Sequence, residues 1–337
     1  MKSIVSLPGF GRTLSKAVLL GSVVLFGAAL SFSSMAQTYP SKPIRIIVPY
    51  SAGGAVDLVP RLLAEQMALD LGQPVYVENK SGGLGIPAIL EAQKYPNDGY
   101  VIFAGDAAHW ALTPAMQKVP YDFVRDFVPL TQTYQTAQFI FTNTNSGITS
   151  LQDLMDKAKA SQGKLNYASP GVGSIHHISM EVFRAGMGLE ITHIPFKGAA
   201  EVTESVLRGD TTVGLSSLQA LLPHVKAGKL KLLAVNSGRR LATASDVPTI
   251  AESTPLKDYD FSGVQAFFVK AGTSQAIVER LNASVRKAFS NKDLAAKLID
   301  VTASNLGPNT SEQMGEKVRG DIRKFGVAIK IADIKPQ

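Results

Sequence analysis

The stretch Pro43-Ile44-Arg45-Ile46-Ile47-Val48-Pro49-Tyr50-Ser51-Ala52-Gly53-Gly54 opens the folded part of the chain and sets its architecture. Its apolar, β-branched run reads as a buried strand. Residues 50–54 turn the chain, and residues 57–71 continue as a helix with Leu58, Leu62, Leu63 and Met67 on one face. Gly72 stops that helix. Residues 74–78 (PVYVE) form the next strand, 86–95 a short helix and 100–105 (YVIFAG) a third strand. Strands and helices alternating with short Gly, Ser and Pro punctuation predict parallel α/β architecture.

The alternation then breaks and begins afresh. Residues 139–143 (FIFTN) and 263–270 (GVQAFFVK) are isolated strands. Between them the pattern predicts helices over 151–161, 173–185 and 199–207, and strands over 164–168, 191–195, 211–215 and 230–235. After Lys270 only helices follow, over 275–289, 292–301 and 311–331, and they must pack back on the first domain. Residues 37–138 with 263–337 therefore make a discontinuous first domain, and 139–262 a second. Two chain crossings between α/β domains form a hinge, and a hinge makes a ligand cleft.

The chain has 337 residues, 45% hydrophobic and 18% charged, which is enough for two cores. It lacks cysteine, which excludes disulfides, thiolate nucleophiles and zinc-thiolate sites. Lys2, Arg12 and Lys16 precede or flank an uncharged apolar run at 17–30, and Ser34-Met35-Ala36 offers a signal-peptidase site. The run has 14 residues, against the roughly 20 of a spanning helix. Residues 1–36 are therefore expected to be a signal peptide, cleaved after Ala36, that exports the protein to the periplasm. Three of the 34 basic residues lie in it and no acid, leaving 31 against 27, or +4. Scattered and mild, that charge does not predict a nucleic-acid partner.

In an open α/β sheet ligands bind where strands run into helix N-termini. The loop at Ser51 to Gly54 brings bare backbone to that position, and its amides and the helix dipole suit an anion. The loop Ser169-Pro170-Gly171-Val172-Gly173-Ser174 is equivalent in the second domain. His176 and His177 follow it, but adjacent helical residues point about 100° apart, so a structural histidine is expected and no metal. Lys197 either pairs with an anionic ligand or is a solvated charge. Ser216 and Ser217 could add hydroxyls and Gln219 an amide. Ala107, Ala108, His109 and Trp110 follow the strand at 100–105, and Trp110, the single tryptophan, either faces an aromatic or apolar ligand or packs in the core.

Enzyme signatures are weak. No G-x-S-x-G elbow, P-loop or H-E-x-x-H is present. Residues 83–88 (GLGIPA) fit the loose G-x-G-x-x-A pattern, but Pro87 and the missing ribose-binding acid make this a coincidence. No cofactor is expected.

At these loops the sequence resembles the Bug-type periplasmic receptors, the solute-binding proteins of tripartite tricarboxylate transporters. The match runs through residues 39–45 (YPSKPIR), 48–57 (VPYSAGGAVD), 71–74 with 77–79, 96–100 (PNDGY), 126–129 (DFVP), 163–167 (GKLNY), 193–198 (HIPFKG), 225–230 and 246–249 (DVPT). The resemblance implies a Venus-flytrap fold of two α/β domains that grips a small carboxylate in the cleft by backbone amides and ordered water. Carried over by position, the ligand contacts would be Tyr50, Ser51, Gly53, Gly54 and Asp57 in the first domain. In the second they would be Ser169, Gly171, Gly173, Ser174, Lys197, Gly198 and Ala199, with His177 matching the family histidine. Lys80-Ser81-Gly82 stands where the family usually has Arg-Pro-Gly, and Phe196 where it has tyrosine, which favours an aromatic or otherwise apolar carboxylate.

The expected function is reversible capture by a monomeric, non-enzymatic receptor. It would deliver its solute to membrane transporter subunits or a sensor protein. A secreted hydrolase is the rival, and would need Ser174 or Ser216 beside a histidine–carboxylate pair. An effector-sensing regulator domain shares the fold, but the export signal and lack of a helix-turn-helix count against it.

Overall fold

The computed structural model describes residue 3 and residues 39–161, 163–302 and 307–334. The expected signal peptide lies outside the described residues. From Lys42 onward the chain forms one compact unit, built on two five-stranded sheets.

The first sheet takes β1 (Ile44–Val48), β2 (Val75–Asn79), β3 (Val101–Asp106), β4 (Phe127–Thr136) and β10 (Gly263–Lys270) in the order β2-β1-β3-β10-β4. The second takes β5 (Gln138–Asn143), β6 (Leu165–Ser169), β7 (Ile191–Pro195), β8 (Val213–Ser217) and β9 (Leu230–Val235) in the order β7-β6-β8-β5-β9. Helices α1 (Ala55–Leu71) and α2 (Ile86–Lys94) serve the first sheet. In the second half of the chain lie α3 (Leu151–Ser161), α4 (Ile175–Gly186), α5 (Ala199–Arg208) and α6 (Leu218–Lys226).

Both sheets are mixed, which corrects the parallel expectation. β1 runs parallel to β2 and β3, while β10 runs antiparallel to β3 and β4. Likewise β6 is parallel to β7 and β8, while β5 is antiparallel to β8 and β9. The cause is the crossing itself. β5 begins at Gln138 opposite Ser217, the last residue of β8, and β10 begins at Gly263 opposite Thr136, the last residue of β4. A strand that enters a sheet at the carboxyl ends of its neighbours can only run backwards.

Two of the longer elements escape the sequence pattern. β4 pairs along its length with β10, yet it contains Pro129 and alternates Thr and Gln, with register shifts opposite Gln265/Ala266 and Phe267/Phe268. It is an edge strand, where proline is tolerated. α6 carries Pro223 inside it. Elsewhere boundaries move by a residue or two: the first helix starts at Ala55, and the strand expected over 211–215 is Val213–Ser217.

The terminal helices α7 (Gln275–Phe289), α8 (Lys292–Thr302) and α9 (Ser311–Ile331) do return to the first sheet. Asp70 at the end of α1 binds Arg280 at 2.6 Å and Lys287 at 2.7 Å, and these bonds, Lys287 first, hold its carboxyl down at about 2. α9 buries Met314, Val318 and Phe325 and runs along β4, but it also touches α4, which the sequence reading did not foresee. Among the described residues no helix is long and apolar enough to cross a membrane.

One buried residue binds both crossings. Asn236, just past β9, accepts from Gln138 N through Oδ1 (2.8 Å) and donates its own N–H to Gln138 O (2.9 Å). It also donates Nδ2 to Phe261 O (3.0 Å) and accepts from Phe261 N (2.8 Å). Asn236→Ala should leave two buried backbone groups without their side-chain partners, costing about 2–3 kcal/mol. Chemical denaturation of the purified variant checks this; a loss below about 0.5 kcal/mol would contradict it.

Candidate ligand-binding site

Between the two sheets lies a cavity of about 500 Å³. Its walls come from the carboxyl-end loops of both sheets: Tyr50 and Val56, Asp106 to Ala108, and Val172 to His176. Its floor is made by the crossings, through Tyr134, Thr136 and Gln138 on one and Gly263, Val264 and Gln265 on the other. Leu84, Leu112 and Met116 add apolar surface.

Three loops that lead from strand to helix use one device. A polar side chain in the first turn of the helix reaches back to a loop amide four residues earlier. Asp57 Oδ2 accepts from Gly53 N (3.0 Å), His177 Nδ1 from Gly173 N (3.0 Å), and Glu201 Oε2 from Lys197 N (3.1 Å). At Gly53 (φ +103°) and Gly173 (φ +77°) the loop adopts a left-handed conformation suited to glycine. A side chain at Gly173 would also collide with Met116 Sδ.

These bonds use amides that the sequence reading left open to a ligand. Gly171 N bonds Ser169 Oγ, and Ser174 N bonds Gly171 O. Ser174 caps α4 by accepting from His177 N. What remains at each helix start is the first-turn pair, Ala55 and Val56 in α1 and Ile175 and His176 in α4. No side chain caps α1, whose Gly54 carbonyl takes both Asp57 N and Leu58 N. Val56, Ile175 and His176 all line the cavity.

Of the predicted residues, Tyr50, Ala108, Gly173 and Ser174 line the cavity. Ser51, Gly53 and Gly54 are exposed beside it. Asp57 is buried outside the lining and serves the loop, bonded to Gly53, Arg61 and Asn79. Burial works to raise its carboxyl, but those partners outweigh it and hold it below the usual range. His177 likewise holds Gly173 and stacks on His193 with centroids 4.0 Å apart. Trp110 is a core residue, packed 5.4 Å from Phe268 and 5.9 Å from Phe123. Ser169, Gly171, Phe196, Lys197, Gly198, Ala199, Ser216 and Ser217 lie outside the lining. Gln219 donates instead to Val301 O.

Sequence reasoning missed Asp106, Tyr134, Gln138 and His176. The floor residues had a signal, since the segments that cross between two domains must pass under the cleft. His176 bonds Gln138 Oε1 through Nε2 (2.9 Å), and burial pushes it down to about 4, so it is neutral at ordinary pH.

The serine constellations are closed. Ser174 donates to Gly171 O, and Ser216 Oγ is buried without a partner among the described residues. Ser169 Oγ does meet His193 Nε2 at 2.6 Å, but Ser169 is fully buried and bonded to the Gly171 backbone. Burial, then the neighbouring His177, pushes His193 down to about 4.

Residues 59–332 match the sequence profile described as tripartite tricarboxylate transporter family receptor. The chain belongs to that family. It is 30% identical to the protein BugT of Bordetella pertussis over 324 residues, 93% of this chain and 98% of that one. It is 32% identical over 266 residues to a UPF0065 protein in the gbd 5′ region of Cupriavidus necator, covering 78% and 79%. Among solved structures, a TctC solute-binding protein from Polaromonas superposes with a TM-score of 0.78 at 27% identity, covering 87% and 99%. A protein from R. palustris, solved with adipate, gives 0.73 at 28% identity, covering 89% and 100%. The receptor thus has the periplasmic-binding-protein (Venus-flytrap) fold of two α/β domains. The family is one of receptors, and the Polaromonas neighbour is a solute-binding protein.

The loop device makes a prediction for this receptor. Asp57→Ala frees Gly53 N and leaves Arg61 and Asn79 without their shared partner, so it should cost about 1–3 kcal/mol. It should also raise amide exchange across residues 51–54 more than elsewhere. Uniform exchange changes, or none, would show that Asp57 does not hold the loop.

Proposed function

We propose that this receptor is exported with cleavage after Ala36 and captures a small carboxylate in the periplasm, in the cavity between its sheets. The observation that carries this reading is the uncapped start of α1, with Val56 on the cavity wall, facing across to the start of α4. Helix starts favour negative charge, and charge-assisted bonds to backbone amides are each worth roughly 1.5–3 kcal/mol. The adipate bound to the R. palustris relative supports the same class of ligand. Leu84, Leu112, Met116, Val172 and Val264 suit an apolar or aromatic ligand body; Phe196, outside the lining, does not contribute to that argument.

Domain closure, with 37–138 and 263–337 moving against 139–262, would bring the exposed Ser51–Gly54 and Lys197–Ala199 loops toward the solute. The closed, monomeric form would then dock on transporter subunits or a sensor. Gly54→Leu tests the site. Gly54 has φ −89°, and a Cβ there meets only Val56 Cγ2 at 3.7 Å, so the fold should tolerate it. Calorimetry with a panel of aliphatic and aromatic acids should show binding by the wild type and none by the variant, with unchanged circular dichroism. Unchanged affinity in the variant would remove the start of α1 from the site.

A further inference from the structure

Among the described residues the cavity wall holds one acidic side chain and no lysine or arginine. That acid is Asp106, at the carboxyl end of β3, with its side chain 21% exposed. An anion in an anion-binding cavity needs a reason. We propose that Asp106 selects, among carboxylates, those whose opposite end carries a protonated nitrogen, so that the solute is a zwitterion bridging the helix starts and Asp106. This inference rests on the carboxylate reading above and refines it.

The hydrogen bonding around Asp106 fixes its charge and orientation while leaving it capacity. Oδ1 accepts from Ala108 N at 2.9 Å, and Oδ2 accepts from the Tyr50 hydroxyl. Burial works to raise the carboxyl, but His109, Tyr50 and the Ala108 amide outweigh it, so Asp106 is ionised at neutral pH. Tyr50 is pushed well above its usual range, first by burial and then by Asp106, so it stays a phenol and a donor. His109 Nδ1 either accepts from Asp106 N (3.1 Å) or, protonated, donates to Oδ1 (2.9 Å). In both states Oδ2 has Tyr50 as its one protein donor among the described residues. A carboxylate oxygen accepts two bonds, so one position on Oδ2 is open to a donor in the cavity.

The other titratable groups of the lining, apart from Tyr50, bring no positive charge to it. Burial holds Tyr134 as a phenol and His176 as neutral imidazole. A dicarboxylate anchored by one end at the helix starts would bring its second carboxylate toward Asp106. Like charges in a partly buried cavity repel strongly. An ammonium in that position gains the opposite interaction and a charge-assisted bond to Oδ2.

The test uses matched pairs that differ only at the far end: adipate against ε-aminocaproate, and terephthalate against aminomethylbenzoate. Calorimetry on the wild type at neutral pH should show the amino member of at least one pair binding about tenfold tighter or more. Asp106→Asn, which keeps shape and the Tyr50 contact, should abolish or reverse that ratio. Tighter binding of the dicarboxylates by the wild type, or an unchanged ratio in the variant, overturns the role of Asp106 and leaves carboxylate capture standing. Should the variant fail to fold, the wild-type ratio alone decides. Binding of none of the four acids overturns carboxylate capture itself.

Discussion

The structure depends on a double crossing of the chain. β4 leaves the first sheet at the carboxyl ends of its parallel strands, and β5 enters the second at the equivalent place. The return path ends the same way at β10. Both entering strands must therefore run antiparallel, and the loops at the carboxyl ends of both sheets face the same cavity. Asn236 fastens one crossing to the other with four bonds in a region without solvent. An asparagine is suited to this because it offers donors and an acceptor on both side chain and backbone.

Around that frame the loops are held by their own helices. Asp57, His177 and Glu201 each reach back one turn to a loop amide. The arrangement fixes glycine-rich segments without covering them, so backbone can be both ordered and exposed. It also limits how many amides a solute can use, leaving the first-turn donors of α1 and α4. On the proposed reading selectivity comes from elsewhere in the cavity, where Asp106, with its Tyr50 partner, is the acidic side chain of the lining.

Much of the fold was legible because strand and helix patterns are strong where both faces of a strand are buried. Ile44–Val48 and Gly263–Lys270 are examples. β4 was not legible: its Thr131 and Thr133 are buried polar residues, bonded to Asn309 and Gln265, so its period carries no apolar signal. At the site, the glycine loops could be found from their sequence, but the roles within them could not. Asp57 and His177 sit where the resemblance implies ligand contacts, and both bond their own loops. Trp110 could face either way from sequence alone, and the aromatic cluster of Phe123 and Phe268 decides for the core. Asp106 went unremarked because its meaning depends on a cavity lining without lysine or arginine, which only the folded chain reveals.

The central claim is that a solute is held at two helix starts on opposite sides of one cavity. Amide hydrogen exchange with and without the tightest-binding acid of the panel tests it most directly. The account predicts slowed exchange in peptides covering residues 51–57 and 172–177 together, with little change at the separate apolar groove near Phe261 and Val327. Protection confined to that groove, or to one of the two helix starts, would contradict it.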